Sequence, residues 1–237
     1  MRWRDPLDRG KKEYAIIFAA QETVTREIDF SDYYDEALNN DILLNLHIGS
    51  HAQTTIYFNV KKTIPGTIRC CVTIAAGAKS RIYCICEQTI SFCCDFMFVL
   101  QEEHAQVDFY GITDALCSDV QSITTKQMHE APFTSSTVSI KSVVRDGGLC
   151  SYDGLIELSK KADNSSALQS HRALIVGKEA KIIRSKPGLK IENKNVSCTH
   201  ESSISSIDPY QVWALEARGL HYDAAVIFLI EGFKKYV

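Results

Sequence analysis

The chain has 237 residues, 26 Lys and Arg against 29 Asp and Glu, and a formal net charge of −3 at pH 7. That balance gives no electrostatic case for nucleic acid or an anionic membrane, while 45% hydrophobic residues can fill one sizeable core, as one domain or one domain with an appendage. No run of eighteen apolar residues occurs, and the apolar part of MRWRDPLDRGKKEYAIIF is too short and interrupted for a secretion signal, so a cytoplasmic protein is expected.

From about residue 14 to residue 200 the chain is rich in Val, Ile, Thr, Tyr and Phe, with apolar and polar residues alternating. LLNLHI (43–48), TTIYFNV (54–60), TIRCCVTI (67–74), SRIYCIC (80–86) and AQVDFYGI (105–112) read as strands. No regular amphipathic helices separate them, which excludes βαβ units and leaves a sandwich, a barrel or a solenoid. Four short stretches, HAQT (51–54), GAKS (77–80), HAQV (104–107) and EAKI (179–182), each place an alanine and a polar residue before a strand. Ala52, Ala78 and Ala105 are 26 and 27 residues apart, and Ala180 follows after 75, close to three more periods. A period near 25 with short strands predicts a parallel β-helix, the alanines sitting at an inward corner where larger side chains would clash with adjacent coils.

The nine cysteines cluster at 70–71, 84, 86, 93–94, 117, 150 and 198. Without a secretion signal they predict no disulfide framework, and the absence of CxxC excludes a zinc ribbon. On strands, Cys84 and Cys86 share one face, whereas the members of Cys70–Cys71 and Cys93–Cys94 point to opposite faces; most read as small buried side chains.

The last thirty residues change character. Asp208 reads as an N-cap, Pro209 as the first helical residue, Gln211 as the partner in a capping box and Gly219 as the stop. A second helix follows in HYDAAVIFLIEGFKKYV, with Lys234 and Lys235 at its negative end. Tyr210, Trp213, Phe228 and Phe233 read as the packing face of this hairpin, or as anchors for a partner. The expected organisation is a β-helix core over 1–205, with a short irregular N-terminal segment, and a helical segment over 206–237.

Just before the helices, NVSCTHESS (195–203) holds a thiol, an imidazole and a carboxylate within four positions, as Cys198, His200 and Glu201. Alone, this is either a metal or cluster site or the polar end of a strand, because Cys-x-His lacks a second ligand pair. Nucleotide-binding and hydrolase motifs are absent from the sequence.

The stretch from GLIELSKKADNSS to the terminal EGF resembles the C-terminal core of the SufB and SufD proteins, the paired scaffolds of Suf iron–sulfur cluster assembly. The shared features run in order: the Gly-x-Ile of GLIEL, Ala162, Gln169, Pro187, IEN at 191–193, His200, Ile207-Asp208 and Arg218-Gly219. HEAPFTSST (129–137) resembles the family's histidine-led coil, whose His129 is as well read as a core histidine as a functional one. The resemblance covers residues 128–237 well and the earlier coils in style. It implies a right-handed β-helix with a helical C-terminal segment, in a chain short for the family and with fewer coils.

By that resemblance, Cys198 and His200 match the Cys-x-His of SufD-type sequences, and His200 and Glu201 match the His-Glu of SufB-type sequences. It implies a transient iron–sulfur cluster, assembled and passed on, bound by His200, Glu201 and Cys198, with His200 and Glu201 as metal ligands and no nucleotide bound directly. Glu201 stands evenly between ligand and surface carboxylate, and Cys198 reads equally as packing. The SufB-type strand cysteine is missing, with Ala180 at the equivalent place, so the chain leans toward SufD. The implied role is a non-catalytic scaffold subunit. It would work with a SufC-like ABC ATPase bound through the C-terminal helices, and with a SufB-like subunit or a second copy of itself as dimer partner. Two other readings compete: a degenerate structural paralogue without cluster chemistry, and a stand-alone metal-dependent β-helix enzyme.

Overall fold

In a computed structural model, residues 12–33, 41–60, 66–86, 91–177 and 179–235 are described. The chain winds as a parallel β-solenoid with two strands per coil, and the odd- and even-numbered strands form two seven-stranded sheets. The odd sheet holds β1 (Lys12–Phe18), β3 (Ile42–Ile48), β5 (Thr67–Ile74), β7 (Phe92–Leu100), β9 (Val120–His129), β11 (Leu149–Leu158) and β13 (Lys181–Ile191). The even sheet holds β2 (Thr23–Asp29), β4 (Gln53–Asn59), β6 (Lys79–Cys86), β8 (Gln106–Leu116), β10 (Ser135–Arg145), β12 (Ser165–Val176) and β14 (Val196–Ser206). Two helices follow, α1 (Pro209–Glu216) and α2 (Tyr222–Lys234).

Strand alternation decides what faces the interior. Burial alternates residue by residue along β3 to β6. In this way Cys70, Cys84, Cys86 and Cys94 face inward, and Cys71 and Cys93 lie half-buried outside. Burial pushes the Cys70 and Cys94 thiols well up, which leaves them protonated and inert.

Ala52, Ala78 and Ala105 stack as the repeat predicts. Lys79 N–H donates to the Ala52 carbonyl at 2.8 Å, Gln106 to Ala78 at 2.8 Å and Ser135 to Ala105 at 3.0 Å, and all three alanines are fully buried. The next coils put Thr134 and Ser165 at this corner, their hydroxyls 2.8 Å apart. The neighbouring turn residues Gln21, His51, Gly77, His104, Phe133 and Asn164 all adopt the left-handed conformation, with φ of 54–64°. Ala180 does not belong to this column. It precedes β13 in the other sheet, where Lys181 N–H bonds the Gly148 carbonyl at 3.1 Å. The coil also lengthens, from 26 residues at the Thr54–Ser80 contact to 31 at Thr134–Ser165, so a constant period does not reach Ala180.

The interior changes character along the axis. The early coils are filled by aromatic rings, Phe30 on Phe58 at 4.7 Å and Phe96 against Phe109 at 4.6 Å. In the later coils Gln127, His129, Ser136, Ser142, Gln169 and His171 are buried instead. Apart from Gln169 Nε2, these groups are paired with one another or with neighbouring hydroxyls, as buried polar groups generally are. His129 lies 2.7 Å from both Thr134 Oγ1 and Ser136 Oγ, which makes it a satisfied core histidine. His171 lies 2.7 Å from Ser185 Oγ and 3.1 Å from Ser142 Oγ.

The hairpin ends as the sequence predicts, with two differences. The Asp208 carboxylate caps Tyr210 N–H at 2.9 Å, one residue earlier than a capping box would place it. Tyr210, Trp213 and Phe228 are 80%, 67% and 62% exposed, so of the expected packing face only Phe233 packs, together with Ile230 and Val226, against Val143 and Leu174. The far end of α2 is fixed by charge. Asp114 on β8, 3% exposed, takes Lys234 Nζ at 2.6 Å and Arg145 Nε at 2.8 Å. Lys141 Nζ donates to the Phe233 carbonyl at 2.9 Å.

Two tests follow from this packing. Asp114→Asn leaves Lys234 and Arg145 without their buried carboxylate, and should cost about 3 kcal/mol in urea unfolding, with faster amide exchange in α2. Burial pushes His129 and His171 down to about 4. An unfolded histidine titrates near 6.5, so between about pH 6.5 and 4 the unfolded chain binds protons that the folded chain refuses. Stability should therefore fall through that window as pH drops, by up to about 3 kcal/mol per histidine. His129→Gln should flatten the dependence when urea midpoints at pH 7 and 4.5 are compared.

Candidate functional site

The solenoid ends at β13 and β14, each paired on one side only. Residues that would face the interior of a middle coil therefore face open space here. On β14, Cys198 registers with Ala167, His200 with Gln169 and Ser202 with His171. Strands paired in parallel register share side-chain faces, so Cys198, His200 and Ser202 form one inward row beneath buried residues. Cys198 is half-buried against Ile156, Leu158, Ala162 and Ala167, and burial pushes its thiol up. His200 is exposed.

Glu201 stands on the opposite face. Its carboxylate accepts from Ser170 Oγ at 2.6 Å and from Arg172 Nη2 at 3.1 Å, and these bonds hold it below the usual carboxylate range. The structure thus brings Cys198 and His200 to one face and turns Glu201 away from both. Among the described residues no group of three or more His, Cys, Asp or Glu side chains could hold a metal ion. Within one protomer Cys198 and His200 make half a ligand set of mixed softness, able to take iron only with donors from elsewhere.

The surroundings of this row were not predicted from sequence. His171 is fully buried and carries a hydrogen-bonded chain toward the open end. Ser185 Oγ of β13 is 2.5 Å from Ser202 Oγ and 2.7 Å from His171 Nδ1. Ser142 Oγ bonds the other His171 nitrogen and is 3.3 Å from the sealed Cys150 thiol. The signal was present in the alternation of ALQSHRAL (167–174), where His171 falls on the same face as Gln169 and Ala167. The opposite edge, β13, offers Leu189 and Ile191 at 39% and 45% exposure, and β14 adds Ile204 at 53%. Ser185, Pro187 and Leu189 register with Tyr152, Gly154 and Ile156 of β11. The open end is thus an apolar rim around a polar floor.

Comparison with known proteins agrees with this architecture. The family described as SUF system FeS cluster assembly, SufBD core domain, matches residues 13–233. An iron-sulfur cluster assembly SufBD family protein of Mycobacterium bovis is 33% identical over 131 residues, which cover 55% of this chain and 15% of that protein. A SufBD family protein of Staphylococcus saprophyticus is 31% identical over 135 residues, 57% of this chain and 29% of its own length. One of Mycobacterium leprae is 34% identical over 133 residues, 55% of this chain and 15% of its own. The matched stretches thus span less than a third of these relatives. Among the described residues no helix is long and apolar enough to cross a membrane. With its solenoid, its helical hairpin and a family match over nearly its whole length, the chain belongs to the SufBD core-domain family of the SUF iron–sulfur cluster assembly system.

Proposed function

We propose that this chain is a non-catalytic, SufD-like scaffold subunit on which a transient iron–sulfur cluster is built at the open end of the solenoid, in the cytoplasm. The observation that carries the reading is the inward row Cys198–His200–Ser202, exposed only because no further coil covers it. Half a ligand set at an open end calls for donors from a second solenoid, either a SufB-like subunit or another copy of this chain. Leu189, Ile191 and Ile204 supply apolar area for such a contact. Glu201 would join the site only if docking released it from Arg172 and Ser170; the degenerate, purely structural reading gains from its present engagement.

The helical hairpin is the proposed contact for a SufC-like ABC ATPase. Tyr210, Trp213, Tyr222, Ile227 and Phe228 are all more than half exposed on it. Aromatic anchors of this kind carry most of the binding energy at protein interfaces. Val226 and Phe233 pack on the trunk and are better read as support.

Two experiments test these roles. His200→Ala should leave the melting temperature nearly unchanged, as exposed sites do, yet abolish cluster formation in anaerobic iron–sulfide reconstitution with the partner subunits. A variant that assembles cluster like the parent chain would remove His200 from the site. Single Ala substitutions at Trp213, Tyr222 and Phe228 should each preserve melting, and at least one should weaken ATPase binding by about 2 kcal/mol in calorimetry. Unchanged affinity in all three would reject the hairpin as the contact.

A further inference from the structure

The outer face of the odd sheet carries two ladders of charges that alternate in sign from coil to coil. Arg69 on β5 stands between Asp41, just before β3, at 2.6 Å and Asp95 on β7 at 3.6 Å. Farther along, Glu157 on β11 takes Lys126 of β9 at 2.9 Å and Lys190 of β13 at 2.5 Å. Asp153, also on β11, takes Arg184 of β13 at 3.2 Å. Opposite charges on adjacent strands stabilise a sheet, and like charges weaken it. The second ladder stops on β13, and it stops on its positive member.

β13 holds Lys181, Arg184, Lys186 and Lys190 and no carboxylate, in a chain whose net charge is −3. These four register with Leu149, Ser151, Asp153 and Glu157, the outward row of β11. Among the described residues Lys181 and Lys186 have no ion-pair partner. On the inward row Leu189 and Ile191 continue the columns of Ile156 and Leu158, and they are exposed because nothing stacks beyond them. The strand that completes this edge therefore carries apolar residues inward and Asp or Glu outward. A second copy has no such strand. Its own β13 would set four cations against four cations. The single carboxylate of β14, Glu201, is held by Ser170 and Arg172, and that of β1, Glu13, by Asn45 at 2.5 Å. β2 puts Arg26 on the inward row, in register with the fully buried Ile56, and an inward charge blocks stacking on an apolar column.

We propose that the free edge of β13 is the docking site of a different protein chain, whose facing strand alternates apolar residues with carboxylates and pairs its backbone with β13. In this mode of recognition main-chain hydrogen bonds give affinity, and alternate side chains give specificity. Lysines on a sheet edge turn away indiscriminate strands. Here the same charges select an acidic strand and steer its approach. The proposal rests on the reading of the open end as the place where a second subunit docks. Of the two partners left open above, it selects a different chain over a second copy.

The test uses the full chain and two labelled peptides matched in length to β13, one alternating valine with glutamate and one alternating valine with lysine. The glutamate peptide should protect the amides of β13 from hydrogen exchange, and the lysine peptide should leave them unprotected. Fluorescence anisotropy should show the glutamate peptide binding about tenfold more weakly when salt is raised from about 50 to about 500 mM. Lys186→Glu, at an exposed position with no ion pair to lose, should keep its melting temperature and lose about tenfold in affinity for that peptide. In sedimentation the parent chain alone should not associate with itself through β13. Equal binding of both peptides overturns the proposal, by showing an edge that pairs without regard to charge. Absence of β13 protection by the glutamate peptide also overturns it, as does salt-insensitive self-association of the parent chain that protects β13. Those results leave the cluster-assembly reading standing, with docking carried by β14. Loss of that reading shows separately, as failure of iron–sulfide reconstitution with the partner subunits.

Discussion

Among the described residues, every strand between the two ends takes its hydrogen bonds from the coils on either side, in parallel register, and that single constraint governs the rest. A residue type placed on one coil is held directly over its counterparts on the next, so the interior is built in columns. Apolar columns pack continuously, as the stacked phenylalanines do, and polar columns must satisfy themselves, as Thr134 with Ser165 and His171 with Ser142 and Ser185 do. Tyr57, Tyr83 and Tyr110 form an outer column on the same principle, with ring centroids 4.9 and 5.3 Å apart. The constraint fails only at the ends, where a column has one neighbour. The inward row Cys198, His200 and Ser202 on β14 is such an end.

Much of the fold was legible because alternation and β-propensity survive on every strand. The strand TIRCCVTI ends where the sequence places it, and the opposite faces of Cys70 and Cys71 follow from adjacency alone. The repeat was legible only while alanine occupied the corner. Once Thr134 and Ser165 replace it and the coil grows, the spacing no longer extrapolates, and Ala180 falls at a different corner of the other sheet. The exposed aromatics of the hairpin were ambiguous for a similar reason. Sequence gives a helix its stripe, but the trunk decides which side of α2 is covered, and it covers Ile230 and Phe233.

The candidate site shows where sequence proximity misleads. His200 and Glu201 are neighbours in the chain and on opposite faces of the strand, so adjacency on an extended backbone separates them. Gln169 and His200 are thirty-one positions apart and adjacent in space. The cross-coil network was hard to read in the sequence because the partners of His129 and His171 are ordinary Ser and Thr residues, whose meaning comes from the residue above. A family resemblance picks out His200, but its place beneath the buried Gln169 is a property of the stacked coils.

The anchoring of α2 has a consequence for how the chain reaches this state. Asp114 belongs to β8 and Arg145 to β10, well before the final coil, and both must be in place before Lys234 has a seat. A solenoid can begin to form at any coil and spread to its neighbours. Docking of the hairpin, however, requires strands 8, 10 and 12 to be stacked at once, since Val143 and Leu174 receive Ile230. The C-terminal segment therefore settles only once these three strands are stacked, and its attachment marks completion of the coils it touches. A partner that recognises the docked hairpin would in the same act distinguish stacked late coils from unstacked ones.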